Sequence, residues 1–241
     1  MKFEKLEAPS QRELFIRKIQ EMILSGELKI GTKIPPEREL AQEMGISRTI
    51  VNTGIAVLET QGFLQVIPRQ GVFVADYRRF ASVDTLNAVM RIKGDIFTDK
   101  DIRSILEIRW ALERLTISDA MKNMTEENLV QLYQVVEGIK NANTLQEAAE
   151  GAMEFQLELA AIGKNTMLGL IMSAFRGPCV TLWVRFCRLY GVQTLYEHTL
   201  HSLEYLEKKD YRGAILWIEE FTKEAIEGKF TLYNEDLKKN E

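Results

Sequence analysis

Apolar residues recur at helical spacing through the first 60 positions. Phe15, Ile16, Ile19, Met22 and Ile23 follow i, i+3, i+4, which predicts an amphipathic helix ending before Gly26. Leu28-Lys29-Ile30-Gly31 is a short link. Pro36, at a first helical position, opens a second helix over Glu37–Met44, stopped by Gly45. Ser47 reads as the N-cap of a third helix to Thr60, with Ile50, Val51, Ile55 and Leu58 on one face, ended by Gly62. The period then changes. Phe63-Leu64-Gln65-Val66-Ile67 and Val72-Phe73-Val74 are strand-like, joined by the turn Pro68-Arg69-Gln70-Gly71. After residue 75 no strand pattern appears. Helices are predicted over 82–93, 100–122, 125–140, 144–162, 165–176, 178–190, 192–208 and 210–227. Thr125 and Asp210 mark starts, and Pro178 after Gly177 marks a break. The polar tail from Asn234 is expected to fray.

Composition divides this pattern in two. Pro9, Pro35, Pro36 and Pro68 precede residue 69, whereas Trp110, Trp183 and Trp217 all follow residue 100. A boundary is expected near Asp76-Tyr77-Arg78-Arg79, giving a front domain over 1–76 and a rear domain over 77–241. The expected fold class is mainly α: a winged helix-turn-helix with a small β-hairpin, then an all-helical bundle. With 46% hydrophobic and 27% charged residues the chain reads as an ordinary soluble protein. Its longest apolar stretch, Met167 to Met172, is far short of the roughly 18 residues a membrane span needs. The start, MKFEKLEAPSQ, lacks a signal peptide's apolar segment. Cys179 and Cys187 lie eight apart in a helix, about 12 Å of rise, too far to bridge. A reduced, cytoplasmic protein is expected. The net charge of −4 gives nucleic-acid binding no support from bulk charge. Only His198 and His201 are present, which excludes a three-histidine metal site.

Two helices joined by a short glycine turn, 37–44 and 47–60, form a helix-turn-helix, and the hairpin makes it winged. A recognition helix reads the major groove with its N-terminal residues. Here these are Ser47, Arg48, Thr49 and Asn52. Ser47 and Thr49 can donate to phosphates. Arg48 can reach guanine O6/N7 or a phosphate, and Asn52 can pair with adenine. Each could equally be a solvated surface group.

The run K-I-P-P-E-R-E-L-A-x-x-M-G-I-S-R-T-x-V, then L-E-x-x-G-F, then G-V-F-V resembles the winged helix of the GntR family of bacterial transcription regulators, from Ile23 to Val74. The resemblance implies DNA contacts at Arg38, Ser47, Arg48 and the wing turn Arg69, Gln70, Gly71. Asn52 stands where the family usually has Arg, Gly54 where Ala is common, and Arg69-Gln70-Gly71 where G-x-G is common, which implies a shifted operator preference. Residues 1–76 hold 10 basic and 10 acidic groups, so recognition must rest on placement.

Ile105 to Glu113, Phe155-Gln156, Gly163-Lys164-Asn165, Tyr196-Glu197-His198 and Lys209 to Ala214 resemble the helical effector domain of the FadR branch of that family. Many members bind a metal through an Asp or Asn four residues before a His, then two more His. The matching positions here are Ala152, Gln156, His198 and about Phe221, so one ligand of four survives and no metal site or other cofactor is expected. The fatty-acid-responsive members also lack the metal. The resemblance thus implies a small organic effector, a carboxylate or an acyl-CoA-like molecule, near Gln156, His198 and Phe221; Arg109 and Arg185, each on an otherwise apolar helix face, need a partner that such an anion would supply bidentately. Alternatives stand beside this. Phe155, Leu159, Phe175, Trp183, Phe186, Trp217 and Phe221 would make the pocket apolar, as a partly lipophilic ligand needs, or could simply fill a core. His198 could be structural, and Arg109 could pair with Glu113, four residues on.

The expected function is a ligand-responsive regulator, by repression or activation, that binds a pseudo-palindromic double-stranded operator as a homodimer, coupled through a linker around Asp76–Phe80. The alternative is a constitutive DNA-binding regulator whose effector site is lost. No nucleophile elbow, phosphate loop or metal triad supports an enzyme, and no membrane partner is expected.

Overall fold

The computed structural model of the chain describes residues 9–93 and 97–233, so the tail from Asn234 lies outside the described residues. It divides into two units, Met1–Lys93 and Gly94–Glu241. In the first, α1 (Gln11–Leu24) opens with a capping box: Ser10 Oγ accepts from Glu13 N, and the Glu13 carboxylate accepts from Ser10 N at 2.8 Å. Helix α2 (Glu37–Met44) closes on Gly45, whose φ of 65° is the left-handed turn glycine permits. Pro36 stands at its N-cap, one position earlier than expected. Helix α3 (Arg48–Thr60) starts with Ser47 Oγ accepting from Ile50 N at 3.3 Å. Strands β1 (Leu64–Ile67) and β2 (Gly71–Val74) pair antiparallel, Leu64 opposite Val74 and Ile67 opposite Gly71.

The core of this unit joins all of these elements: Phe15, Ile19 and Ile23 from α1, Leu40 from α2, Val51, Ile55 and Leu58 from α3, with Phe63, Val72 and Val74. Gly54 has a structural reason. A Cβ there would lie within 2.6 Å of Phe15 Cε1, so the ring occupies the space an alanine methyl would need. The lost helix propensity, about 1 kcal/mol, is offset by seating Phe15.

The unit closes later than the expected boundary at residue 76. Helix α4 (Val83–Lys93) packs on α1, burying Thr85 and Ala88. Thr85 Oγ1 donates to the Gln61 carbonyl at 2.6 Å. The expected linker around Asp76–Phe80 is itself a turn, Phe80 N donating to the Asp76 carbonyl, and it abuts Gly62. The compact units divide at Lys93/Gly94 and not at residue 76, with the Thr85 hydrogen bond and the burial of Ala88 tying α4 to the winged helix.

The second unit is helical: α5 (Asp99–Asn123), α6 (Glu126–Lys140), α7 (Leu145–Ile162), α8 (Leu168–Ala174), α9 (Arg176–Tyr190), α10 (Val192–Glu207) and α11 (Tyr211–Glu227). Helix α7 is central and packs on α5, α6, α9 and α10, while α11 lies on α5 and α10. Capping boxes at Thr98 and Thr125 set two of the starts. The expected break at Gly177-Pro178 falls instead at Phe175, and Pro178 lies in the first turn of α9, where its missing N–H has no helical partner to lose. Cys179 and Cys187 are free and buried. No helix among the described residues is long and apolar enough to cross a membrane.

Candidate functional site

The first candidate site is the exposed face of the winged helix. Val51, Gly54, Ile55 and Leu58 turn α3 inward, which leaves Arg48, Thr49 and Asn52 on its solvent side. Arg48 and Asn52 stand one helical turn apart on one face. Ser47 Oγ spends a lone pair on Ile50 N, and its O–H remains a donor. Arg38 is exposed on the first turn of α2. At the wing tip Arg69 adopts a left-handed φ of 63° and Gln70 N donates to the Ile67 carbonyl at 3.0 Å, which tightens the turn. Arg69 and Gln70 are exposed and Gly71 is half-buried. Arg38, Arg48 and Arg69 form no ion pair among the described residues.

The second candidate site lies inside the helical bundle. Arg109 and Glu113, one turn apart on α5, are each 2% exposed. Their Nε and Oε1 lie 3.2 Å apart, an ion pair by distance, but the alignment makes no hydrogen bond. The attraction is charge on charge in a low-dielectric setting. The Arg109 guanidinium also sits 4.2 Å from the Trp183 ring centre. Trp183 leads to His198 and Phe221. The imidazole stacks on Phe221 with centroids 3.6 Å apart and 19° between planes, and on Trp217 at 5.5 Å. Trp217 Nε1 donates to the His198 carbonyl at 3.2 Å.

Burial sets the protonation here. It pushes the His198 imidazole well below its ordinary value, and the Arg109 charge adds to that. His198 is therefore neutral near pH 7. Burial raises the Glu113 carboxyl, and Arg109 partly restrains it. The Cys179 thiol is pushed up to about 12 by burial, which removes it as a nucleophile.

Of the residues singled out in this domain, Arg109, His198 and Phe221 come together with Trp183. Gln156 on α7 and Arg185 on α9 are half-buried. The Gln156 Oε1 and His198 Nδ1 atoms are buried with no hydrogen-bond partner among the described residues. Phe155, Leu159, Phe175, Trp183, Phe186 and Phe221 are buried in the core, Trp217 is half-buried, and His201 is exposed. The stacking of Trp217 on the imidazole follows from the packing of α10 and α11 and is not local in sequence.

The resemblance to metal-binding members can be tested on the same residues. Ala152 supplies a buried methyl, and Phe221 lays an apolar ring on the one remaining imidazole. These residues do not fit a metal ion, which needs at least three donors converging on one point.

Residues 12–74 match the family described as bacterial regulatory proteins, gntR family, and residues 104–213 match the FCD domain. The chain is 28% identical over 211 residues to the Uxu operon transcriptional regulator of Escherichia coli (strain K12), across 82% of this chain and 78% of that one. It is 26% identical over 184 residues to the HTH-type transcriptional regulator LutR of Bacillus subtilis (strain 168), across 73% and 81%. A solved structure of Lar, which controls the expression of the Listeria monocytogenes agr system, shares the fold. It has a TM-score of 0.64 and 18% identity over 92% of this chain and 97% of that one. These relatives and families are transcriptional regulators and not enzymes.

Proposed function

The chain is a transcriptional regulator of the GntR family with an FCD domain, and we propose that it binds a pseudo-palindromic operator as a cytoplasmic homodimer whose DNA affinity a small organic effector modulates. The observation that carries the DNA half is the set of exposed cations Arg38, Arg48 and Arg69, which have no ion pair among the described residues. Arg48 reads a base or clamps a phosphate. Asn52 pairs with adenine, Ser47 and Thr49 donate to phosphates, and Arg38 and the turn Arg69, Gln70, Gly71 fix the pose on the backbone. The N-terminal end of α3 adds its partial positive charge. A two-fold dimer presents two such helices to two half-sites about one helical turn apart.

The effector half rests on Arg109. Its ion pair with Glu113 is misaligned, so a carboxylate or an acyl-CoA-like anion gains bidentate geometry by taking that place. Gln156, Arg185, His198 and Phe221 would border it, without a metal. A second reading is a constitutive regulator. It is favoured by the way Glu113 already neutralises Arg109 and Phe221 covers His198.

A shift assay on promoter DNA, run with organic acids and acyl-CoAs, separates the two. A compound that changes both DNA affinity and melting temperature supports the responsive reading. If none does, the constitutive reading stands. EDTA is expected to leave the melting temperature unchanged, and a drop of several degrees would overturn the metal-free assignment.

A further inference from the structure

Lys33 belongs to no helix or strand and is exposed. It stands opposite Phe73 in an isolated antiparallel bridge on the free edge of β2. Two backbone bonds clamp it there: Ile34 N donates to the Val72 carbonyl at 2.8 Å, and Val74 N donates to the Thr32 carbonyl at 2.9 Å. Residues two apart on a strand share a face, so Phe73 and Gly71 present one surface. The Lys33 stem runs along it toward the wing tip. Its Nζ lies 5.9 Å from the Phe73 ring centre. Its Cε would be 2.9 Å from a Cβ at Gly71, and its Nζ 3.6 Å away. The missing side chain of Gly71 thus leaves the groove that seats the lysine head beside the turn holding Arg69 and Gln70.

We propose that Lys33 is a further DNA contact, an ammonium held at the wing tip to meet a backbone phosphate. This rests on the reading of the winged helix as the DNA-binding face. Among the described residues Lys33 has no ion pair, so its charge is unspent. An ammonium has three donors and no acceptor, and its compact charge suits a phosphate oxygen rather than a base edge. The stem is already laid over Phe73 and Gly71, so less side-chain freedom is lost when the head engages. The front domain has no net charge in its sequence, so a cation at the wing adds a sizeable share of its attraction for DNA. Gly71 then acts as a positioning residue through Lys33.

The test uses the full chain and duplexes that the wild type selects from a randomised pool. Affinity is measured from 50 to 200 mM salt on these and on an unselected duplex. Lys33→Gln should flatten the slope of log affinity against log salt by about 1. Over that fourfold range the wild type should then gain about fourfold more affinity than the variant as salt falls. The deficit should be equal on every duplex, Lys33→Arg should restore the slope, and Lys33→Glu should flatten it by about 2. A Lys33→Gln slope equal to wild type, while Arg48→Ala binding falls, would overturn the proposal and leave the DNA reading standing. A deficit confined to some sequences would overturn it too, by making Lys33 a base reader. A wild type that selects no duplex would remove both the reading and the inference.

Discussion

In the winged-helix unit the residues assigned to DNA stand at the surface, above a core that does not include them. In the helical unit Arg109, His198 and Phe221 are themselves core. The same residue type carries different consequences in the two places. Arg48 is exposed and makes no ion pair among the described residues, so its removal leaves no buried partner behind. Arg109 is buried on Trp183 beside Glu113, so it belongs to the fold before it belongs to any ligand. Function and stability are separable in the first unit and entangled in the second.

The largest effect that sharpens this contrast is at the buried pair. Glu113→Ala should cost about 3–5 kcal/mol in urea unfolding, because it leaves a buried guanidinium uncompensated. The apolar double variant Arg109→Met/Glu113→Leu should be near wild type or better. Equal losses in the single and double variants would show that packing, not charge, carries the cost. At the surface, Arg48→Ala should weaken specific DNA binding by about 1–3 kcal/mol while stability moves by less than about 0.5 kcal/mol. A stability change as large as the binding change would erase the contrast.

Gly54→Ala tests where the two categories meet, since this residue is on the recognition helix but faces the core. The collision with Phe15 should destabilise by about 1–2 kcal/mol despite the better helix propensity. Adding Phe15→Leu should recover part of the loss contributed by the methyl, and a stabilised single variant would refute the interlock.

The smallest effect is a pH dependence. In the unfolded chain His198 takes up a proton below about pH 6.5, whereas in the fold burial holds it neutral to lower pH. Its contribution is full above that pH and is lost as pH falls, by at most about 1.4 kcal/mol per pH unit. Glu113 acts in the opposite sense. Its raised value favours the fold below the ordinary carboxylate range, and that contribution is lost as pH rises through the folded value. The loss of stability between pH 7 and 5.5 should therefore shrink in His198→Gln, and an unchanged loss would assign the effect elsewhere.

Much of this was readable in advance, for reasons that differ between the units. The spacing of Val51, Ile55 and Leu58 fixes the buried face of α3, so the exposure of Ser47, Arg48 and Asn52 opposite it could be read from the sequence. The Arg109–Glu113 pair was legible too, because one turn of helix brings the two together. What escaped depends on neighbours far along the chain. Resemblance alone sets Phe221 beside His198, and the stacking of the two rings needs α10 and α11 to pack, while Lys33 meets Gly71 only through the edge of β2. Helix α4 shows a helical period that names no partner, so nothing local revealed that it joins the first unit. The polar run Asp76-Tyr77-Arg78-Arg79 looked like a linker because turns and linkers share composition.

That placement of α4 bears on how such regulators exchange parts. A crossover at residue 76 would sever Thr85 from the Gln61 carbonyl and expose Ala88, handing the recipient a reading head with an open flank. A crossover after Lys93 carries the winged helix away whole. Recombination that trades one sensing module for another should leave its viable seams beyond α4, where the inherited piece is already sealed.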